Sequence, residues 1–464
     1  MSHEAQSRVA RQEIDLYEPI AQRTYTPSKA VLARSSGCYH YTPEGRRLAD
    51  FTSGVLVANL GHHPRHWWQS VWAHMQLIAS DLIDVDPASD EKEDISSSFL
   101  NATTLTAYNA ITEIEALAAR RLVQNMQQQP GGRRMEQVLW AASGSEAVHK
   151  ALTVALAQRK DASMILATRY GFHGKKGLAG AVTGCEADPE RDPRVRFISF
   201  PQEECYSVQL RKKLLDLKPY RQELERLWRA HEGQICCLIT EPYLGGGGSY
   251  HPQAAYLQML QQFCREHGIL FILDEVQSNF GRTGMMYAYS TYGIEPDMVV
   301  LGKGMGNGIP VDAVVGPRSL FEALSYGSGS DTWSGHPLGC AAVLATLEIF
   351  EQGHVLEHAT KLSEVIEEGL LRLTELDGVE AIRGEGTVWG IQCEAAGDLT
   401  AAEVANRIVA VCYEGDSQGR AIHLLGPLAG TVLRVAPPLV MDLDEARDHL
   451  HAMHGLIQRC HWQH

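Results

Sequence analysis

The sequence contains no long hydrophobic run and no excess of positive charge. None of its segments approaches the roughly 18 consecutive apolar residues of a membrane-spanning helix. Its 41 lysines and arginines are outnumbered by 56 aspartates and glutamates, a net charge of −15, which disfavours general binding to nucleic acid or anionic membranes. Residues 1–20 are polar and of mixed charge, without the apolar centre of a secretory signal. We therefore expect no membrane or nucleic-acid partner.

Cysteines and histidines are present but lack the spacing of structural sites. The ten cysteines are scattered, with Cys236 and Cys237 as the only close pair, so neither a disulfide framework nor a zinc finger is indicated. We interpret them as reduced thiols of a cytoplasmic protein. Among the twenty histidines, the clusters at 61–64 and 461–464 have no clear third ligand at metal-site spacing, and we predict no metal site.

The middle of the chain alternates short apolar runs with helical patterns. Strands separated by amphipathic helices predict a mostly parallel sheet that is covered on both faces. The predicted strands are 137–143, 163–168, 235–240, 268–276 and 298–302, and the predicted helices of this region are 145–159 and 252–268.

The C-terminal part of the chain has a different pattern, in which helices come first and strands follow. Its predicted helices are 338–352 and 361–376, and its strand-like segments are 388–393 and 431–441.

A chain of 464 residues is too long for one simple core, and two domains are expected. We predict an α/β fold with a large, mostly parallel-sheet domain at 75–330 and a smaller α+β domain at 331–464. The N-terminal segment 1–74 is expected to join the smaller domain. Ligand sites in such sheets form at the carboxyl ends of the strands, which is where polar residues occur in this sequence.

Three of these strand ends carry groups with two interpretations each. In "AASGSEA" (141–147) a glycine turn leads into a helix, whose N-terminus either binds an anion or is capped by Ser143 or Ser145. Asp274 ends a very apolar strand and needs a partner, either a structural cation or a cationic ring nitrogen of a cofactor. Phe172, between glycines, either packs in the core or stacks on a planar ligand.

A fourth strand end, "VVLGKGMGNGIP" (299–310), places Lys303 among four glycines. The segment lacks the spacing and the Ser or Thr of a P-loop, so a nucleotide site is not indicated. A solvated lysine in a flexible turn remains an alternative, although it gives no reason for the position at a strand end. A lysine in an enclosed pocket is less stable as the cation, and its amine can then form a Schiff base with an aldehyde.

Together, the four strand ends supply a phosphate cradle, an aromatic plate, a carboxylate for a ring nitrogen and an amine for an aldehyde. This combination suits pyridoxal phosphate, whose ring withdraws electrons best when its nitrogen is protonated and paired.

The sequence as a whole resembles the class III (ω-amino acid) aminotransferases, the fold-type I group that includes acetylornithine, ornithine, 4-aminobutyrate and putrescine aminotransferases. The resemblance covers nearly the whole chain. Its motifs are "YTPEGRRLADFTSGVLVANLGHHP", "ASGSEA", "FHGK", "TEPYLGGGG", "LDEVQSNFGRTG", "PDMVVLGKGMGNGIP", "DTWSGHPLGCAA" and "LRVAPPL".

The resemblance implies pyridoxal 5′-phosphate as cofactor and a role for each matching residue. Lys303 is similar to the lysine that bonds the cofactor and later moves a proton, and Asp274 is similar to the partner of the ring nitrogen. The other implied cofactor contacts are Gly144, Ser145, Phe172, His173, Val276 and Gln277. Thr332 is expected to reach the phosphate of the neighbouring subunit, which implies a homodimer.

The resemblance also implies three substrate contacts. Arg434 is similar to the arginine that binds the α-carboxylate, and Glu241 to the glutamate that covers this arginine while an ω-amino group is processed. A reversible Arg–carboxylate pair suits an enzyme that must present the arginine in one half-reaction and hide it in the other. Lys175 stands where several relatives carry an arginine for a second carboxylate, and lysine lacks the bidentate fork.

We therefore expect a transaminase that moves an amino group from an ω-amino acid, a diamine or a related amine to a 2-oxo acid by a ping-pong mechanism. The favoured acceptor is 2-oxoglutarate, with pyruvate as the alternative. Two other functions stay open at this point: a decarboxylase, racemase or aminomutase of the same fold, and a pyridoxal phosphate-binding protein without turnover.

Overall fold

The central feature of the molecule is a seven-stranded sheet, whose strands from one edge to the other are residues 137–141, 312–316, 298–301, 270–274, 235–240, 164–168 and 195–198. The computed structural model describes residues 4–19, 21, 26–77, 100–188 and 192–463, so residues 78–99 and 189–191 of the predicted large domain lie outside the described residues. The strands are β1 Arg34–Ser36, β2 Tyr39–Tyr41, β3 Arg47–Asp50, β4 Gln137–Ala141, β5 Met164–Thr168, β6 Val195–Ile198, β7 Ile235–Thr240, β8 Leu270–Asp274, β9 Met298–Leu301, β10 Asp312–Gly316, β11 Val379–Glu385, β12 Val388–Cys393, β13 Ala421–His423 and β14 Val432–Val435.

Helices cover this sheet, and other helices come before and after its strands in the sequence. They are α1 Ala5–Tyr17, α2 Ser53–Leu56, α3 Arg65–His74, α4 Glu113–Gln128, α5 Gly144–Gln158, α6 Gly177–Ala181, α7 Val208–Arg211, α8 Lys218–Ala230, α9 Ala254–His267, α10 Ala288–Thr291, α11 Arg318–Phe321, α12 Pro337–Gln352, α13 Val355–Leu371, α14 Ala401–Glu414 and α15 Leu443–Gln458. No helix within the described ranges has the length and apolar character needed to cross a bilayer.

Most neighbouring strands of the large sheet are parallel, which confirms the predicted fold class. Strands β9, β8, β7, β5 and β6 pair in parallel, whereas β10 is antiparallel to both β4 and β9. Every residue of β5, β7 and β9 is buried. Such continuous apolar runs are required because helices cover both faces of the sheet.

The predicted strands of this region appear as β4, β5, β7, β8 and β9, each within two residues of its expected ends. The predicted helices appear as α5 and α9, and α9 is capped by Gly268, which adopts the left-handed conformation with φ +63°. Such a cap favours glycine because a Cβ is strained there. The short strand β6 and the antiparallel strand β10 were not predicted.

The C-terminal helices and strands also differ in part from the prediction. Helix α13 begins at Val355, six residues before its predicted start at 361, and a 3₁₀ turn at Arg372–Glu375 follows it. The predicted strand 431–441 is shortened to β14, which ends at Val435. Pro437 and Pro438 follow this strand. Proline has no N–H to donate to a strand ladder, which explains the early end.

Two smaller sheets build the rest of the molecule. Strands β11, β12 and β14 form an antiparallel sheet, and β1, β2, β3 and β13 form the other. In the latter, β3 and β13 are parallel, with Ala49 opposite Ile422, so the N-terminal strands pair with a strand near the C-terminus. Buried side chains of α12 belong to the core of the large sheet. The domain limits at 74/75 and 330/331 remain predictions.

Candidate active site

A cavity of about 640 Å³ opens at the carboxyl ends of the central strands. In an open α/β sheet this is the expected position of a ligand site. All of the predicted site residues except Arg434 and Thr332 line this cavity: Gly144, Ser145, Phe172, His173, Lys175, Glu241, Asp274, Val276, Gln277 and Lys303.

The first wall of the cavity is the N-terminus of α5. Ser143 caps this helix, because its hydroxyl accepts a hydrogen bond from the Glu146 amide at 3.3 Å. Capping by Ser143 leaves Gly144 and Ser145 on the cavity wall. A Cβ at position 144 would lie 3.0 Å from Cγ1 of Val276, so this position is crowded. The helix carries partial positive charge at this end, which suits an anion such as a phosphate.

At the end of β8, Asp274 is buried and paired with a histidine. Its Oδ2 lies 2.7 Å from Nδ1 of His173, and its Oδ1 accepts a hydrogen bond from the Val276 amide at 3.0 Å. Burial lowers the pKa of His173, but the hydrogen bond and charge of Asp274 more than offset this, and the net shift is upward. Nε2 of His173 is buried without a hydrogen-bond partner. The pair fixes the carboxylate at the cavity wall.

At the end of β9, Lys303 places its amine in the cavity. Its amine has no hydrogen-bond or ion-pair partner among the described residues, and burial lowers its pKa below the usual range of a lysine. The neighbouring glycines are required by close contacts. A Cβ at position 302 would lie 1.8 Å from Oδ1 of Asp312, and a Cβ at position 304 would lie 2.3 Å from Nδ2 of Asn59. The glycines thus allow the loop around Lys303, here called the lysine loop, to pack tightly while the amine stays unpaired.

On another side of the cavity, Glu241 and Arg434 are linked through Gly245. The carboxylate of Glu241 accepts hydrogen bonds from the amides of Phe172 at 2.9 Å and Gly245 at 3.2 Å. Arg434 is buried and donates to the carbonyl oxygen of Gly245, while its Nε has no partner. Burial raises the pKa of Glu241 to about 7. No direct ion pair within 4 Å joins Glu241 to Arg434 in the described structure.

Comparison with known proteins shows the family to which this chain belongs. The model of the family "Aminotransferase class-III" matches residues 20–457. The chain belongs to the class-III aminotransferases. Similar proteins include the 5-aminovalerate aminotransferase DavT of Pseudomonas aeruginosa, with 30% identity over 82% of this chain and 83% of the relative. The 4-aminobutyrate aminotransferase GabT of Escherichia coli is 28% identical over 92% of both chains.

Solved structures of aminotransferases share the fold of this chain. An amine transaminase from an uncultivated Pseudomonas species, solved in its pyridoxal phosphate-bound form, has 25% identity and a TM-score of 0.76, with 96% of this chain and 97% of that chain covered. An ornithine aminotransferase from Toxoplasma gondii has a TM-score of 0.78 at 20% identity, with 97% and 94% covered, and shows the fold alone. The predictions of the family, of transaminase activity and of pyridoxal 5′-phosphate as cofactor are confirmed.

The cavity of this class-III aminotransferase has the groups that pyridoxal phosphate requires. Lys303 supplies a buried amine without a partner, and Asp274 supplies a carboxylate that His173 holds in place. The N-terminus of α5 supplies an anion site. Phe172 lines the cavity and is 39% exposed, so its ring is not fully packed in the core. The residues present fit the cofactor, and each of their individual roles remains a prediction.

Two predicted contacts lie at the edge of the aminotransferase site or outside it. Lys175 lines the cavity and is exposed to solvent at its mouth. Thr332 is exposed and does not line the cavity of its own chain. The loop that carries Thr332 is nevertheless anchored, because Lys150 donates to the Asp331 carboxylate at 2.6 Å and to the Trp140 carbonyl at 2.7 Å.

One acidic residue of the cavity was not predicted from the sequence. Asp312 opens β10 and lines the cavity next to Gly302. Burial raises its pKa to about 7. In the sequence, Asp312 is the single carboxylate of "IPVDAVVG", at the start of an apolar segment that directly follows the lysine loop. An unpartnered carboxylate is expensive to bury, so such a residue indicates either a partner or a function.

Proposed function

We propose that this aminotransferase moves the amino group of an ω-amino acid, a diamine or a related amine to a 2-oxo acid, with 2-oxoglutarate as the favoured acceptor. The observation that carries the proposal is the linked set of Glu241, Gly245 and Arg434 beside the buried amine of Lys303. The names of the relatives, 5-aminovalerate and 4-aminobutyrate aminotransferase, support a donor whose reacting amine is distant from its carboxylate.

In this proposal Lys303 carries the proton. Bound pyridoxal phosphate supplies an aldehyde and an electron-withdrawing ring that stabilises negative charge at the substrate carbon. Lys303 would hold the cofactor through its aldehyde, and its amine, once free, would take a proton from the substrate carbon and pass it on. Burial lowers the pKa of Lys303, which favours the neutral form that a base requires.

Asp274 and His173 act together as the anchor for the ring nitrogen. A carboxylate at this position keeps a ring nitrogen protonated, which is the state that withdraws electrons most strongly. Asp274 can hold this role because His173 and the Val276 amide fix both of its oxygens. Val276 and Phe172 line the cavity and are the proposed neighbours of the two ring faces, and Gln277 is the proposed partner of a ring oxygen.

Arg434 and Glu241 together allow the site to accept both a 2-oxo acid and an ω-amine. Arg434 binds the α-carboxylate of the acceptor, and its unpartnered Nε provides donor capacity for this purpose. When an ω-amine occupies the site, Glu241 moves to Arg434 and pairs with it. The substrate then does not have to supply a carboxylate to this arginine. Gly245 separates the two side chains, and its amide and carbonyl bind one of them each. Lys175 at the cavity mouth pairs with the second carboxylate of a dicarboxylic acceptor.

Two further features belong to the proposal. Gly144 and Ser145 bind the phosphate, and Thr332 of a second copy completes that site in a homodimer. The exposed position of Thr332 outside its own cavity supports this arrangement. A cytoplasmic location is proposed because all ten cysteines are free thiols.

The test is a half-reaction assay on the purified protein loaded with pyridoxal phosphate. A panel of 5-aminovalerate, 4-aminobutyrate, ornithine, diamines and β-amino acids is added, and bleaching of the visible cofactor band is followed. We expect an ω-amino donor to bleach the band and 2-oxoglutarate to restore it faster than pyruvate. A band that no amine changes contradicts turnover, and release of carbon dioxide from the donor indicates a decarboxylase instead.

A further inference from the structure

Asp312 lies beside the lysine loop because of the register of the central sheet. It is the first residue of β10 and pairs with Ala141 of β4, while its neighbour Ala313 pairs with Leu301 of β9. Its side chain is therefore placed between the loop that begins α5 and the loop that carries Lys303. Only 6% of Asp312 is exposed.

Glycines on both sides leave space for this carboxylate. A Cβ at position 302 would lie 1.8 Å from Oδ1 of Asp312, and a Cβ at position 144 would lie 3.5 Å from the same oxygen. Residue 302 directly precedes Lys303, so the carboxylate packs against the backbone of the lysine loop itself. Asp312 and Lys303 line the same cavity.

The carboxylate of Asp312 differs from the other two acidic groups of the cavity, because it has no partner. Asp274 is held by His173 and a backbone amide, and Glu241 is held by two backbone amides. Within the described residues, Asp312 accepts no hydrogen bond and forms no ion pair within 4 Å. A buried carboxylate is costly to keep charged without a partner, so a cation is expected to approach it during function.

Lys303 is the cation in the best position to do so. The charged groups that act on Lys303 are Asp274, Arg434, Asp312 and Glu241, and those that act on Asp312 are Lys303, Asp274 and Glu146. Asp274 and Glu241 already have hydrogen-bond donors, whereas Asp312 has none. When Lys303 is released from the cofactor and becomes an ammonium ion, Asp312 is the carboxylate that lacks a partner.

We propose that Asp312 is a positioning residue that receives the ammonium group which Lys303 forms when it takes up a proton while not bonded to the cofactor. The inference rests on the proposed role of Lys303. The carboxylate stabilises the charged amine between its departure and its return, and it holds the nitrogen at the sheet edge close to the cofactor. Asp312 forms no covalent bond and contacts no substrate in this role.

The experiment measures the pKa of Lys303 in the cofactor-free protein by competitive labelling. Wild type and Asp312→Asn are treated with limiting acetic anhydride between pH 6 and 10, and modification of the Lys303 peptide is quantified by mass spectrometry. We expect the Asn variant to lower the pKa of the amine by about one unit, which is a tenfold change in its protonation equilibrium. Asp312→Glu should restore most of the wild-type value.

The matched control is Glu146→Gln, which removes a carboxylate that faces Asp312 from α5 but is not among the charges that act on Lys303. It should leave the labelling profile of Lys303 unchanged. Equal profiles for wild type and Asp312→Asn, or an equal shift in the Glu146→Gln control, would overturn the proposal. Where Asp312→Asn does not fold, Asp312→Ser gives the same comparison.

A second readout uses the loaded protein and separates this proposal from the proposed function. The visible band of the lysine–cofactor linkage changes with pH, and Asp312→Asn should shift the apparent pKa of that change less than it shifts the pKa of the free amine, because Asp312 pairs with Lys303 only when the amine is not bonded to the cofactor. A larger shift in the band than in the labelling profile would overturn the assignment of Asp312 to the unbonded amine. If the wild-type protein forms no band, the proposed function fails, whereas the labelling result on cofactor-free protein still decides the role of Asp312.

Discussion

Nδ1 of His173 lies 2.7 Å from Oδ2 of Asp274, and both side chains are buried at the end of one central strand. Asp274 is the last residue of β8, and His173 lies in the loop after β5, 101 positions away in the sequence. The histidine neutralises part of the cost of burying the carboxylate and also fixes its direction. This pair is the basis for the proposed anchoring of the cofactor ring.

The pair predicts a graded effect on the chemical step. Asp274→Asn should slow the amine half-reaction by about 100-fold or more, because it removes the charge that stabilises the protonated ring. His173→Gln should slow it by about tenfold, the effect of losing one hydrogen bond to a charged group. Single-turnover stopped-flow measurements of cofactor bleaching test both values. Equal rates for Asp274→Asn and wild type would refute the anchoring role.

Glu241 predicts a pH dependence of the donor half-reaction. Burial raises its pKa to about 7, so it is mainly neutral at pH 6 and mainly ionised at pH 8. Only the ionised form can pair with Arg434, and the rate with an ω-amino donor should therefore rise with pH through about 7. Glu241→Gln should flatten this rise and leave the acceptor half-reaction largely unchanged. A rise of the same size in the variant would assign the titration to another group.

Arg434 predicts discrimination between substrates. Arg434→Ala should lower kcat/KM for 2-oxo acids by about 10- to 100-fold, the range expected for a lost charge-assisted hydrogen bond, with a smaller effect on simple amines. Arg383→Ala is the matched control, because Arg383 is also buried but bonds the Gly248 carbonyl and packs on the ring of Tyr250. The control should affect both substrates equally. The same equal loss in Arg434→Ala would make Arg434 structural only.

The position of Gly245 between Glu241 and Arg434 predicts a steric effect when this glycine is replaced. A Cβ at this position would lie 2.3 Å from Oε1 of Gln277 and 3.1 Å from Oε2 of Glu241. Gly245→Ala should cost about 1–3 kcal/mol of stability and impair both half-reactions. Gly455→Ala in α15, where the nearest atom would be 3.5 Å away, should be neutral or slightly stabilising. Chemical denaturation and steady-state assays compare the two, and wild-type behaviour of Gly245→Ala would contradict the packing.

Local patterns in the sequence predicted most of the central sheet and much of the cavity. Strand β7 matches its predicted limits because six consecutive apolar or β-favouring residues are bounded by polar ones. The motifs around Lys303 and Asp274 lie at strand ends, so the parallel sheet brings them to one edge. Long-range pairing was not visible: β10 runs antiparallel between β4 and β9, and this register places Asp312 in the cavity. The contact of Arg434 with Gly245 joins positions 189 residues apart, which no local pattern encodes.

The central claim is that the nitrogen of Lys303 bonds covalently to pyridoxal phosphate. Borohydride reduction of the loaded protein, followed by proteolysis and mass spectrometry, tests it most directly. We predict that the reduced cofactor is found on the peptide containing Lys303, and that Lys303→Ala binds the cofactor but retains no label after reduction and no turnover. Label on any other lysine, or steady-state activity in Lys303→Ala, would contradict the account.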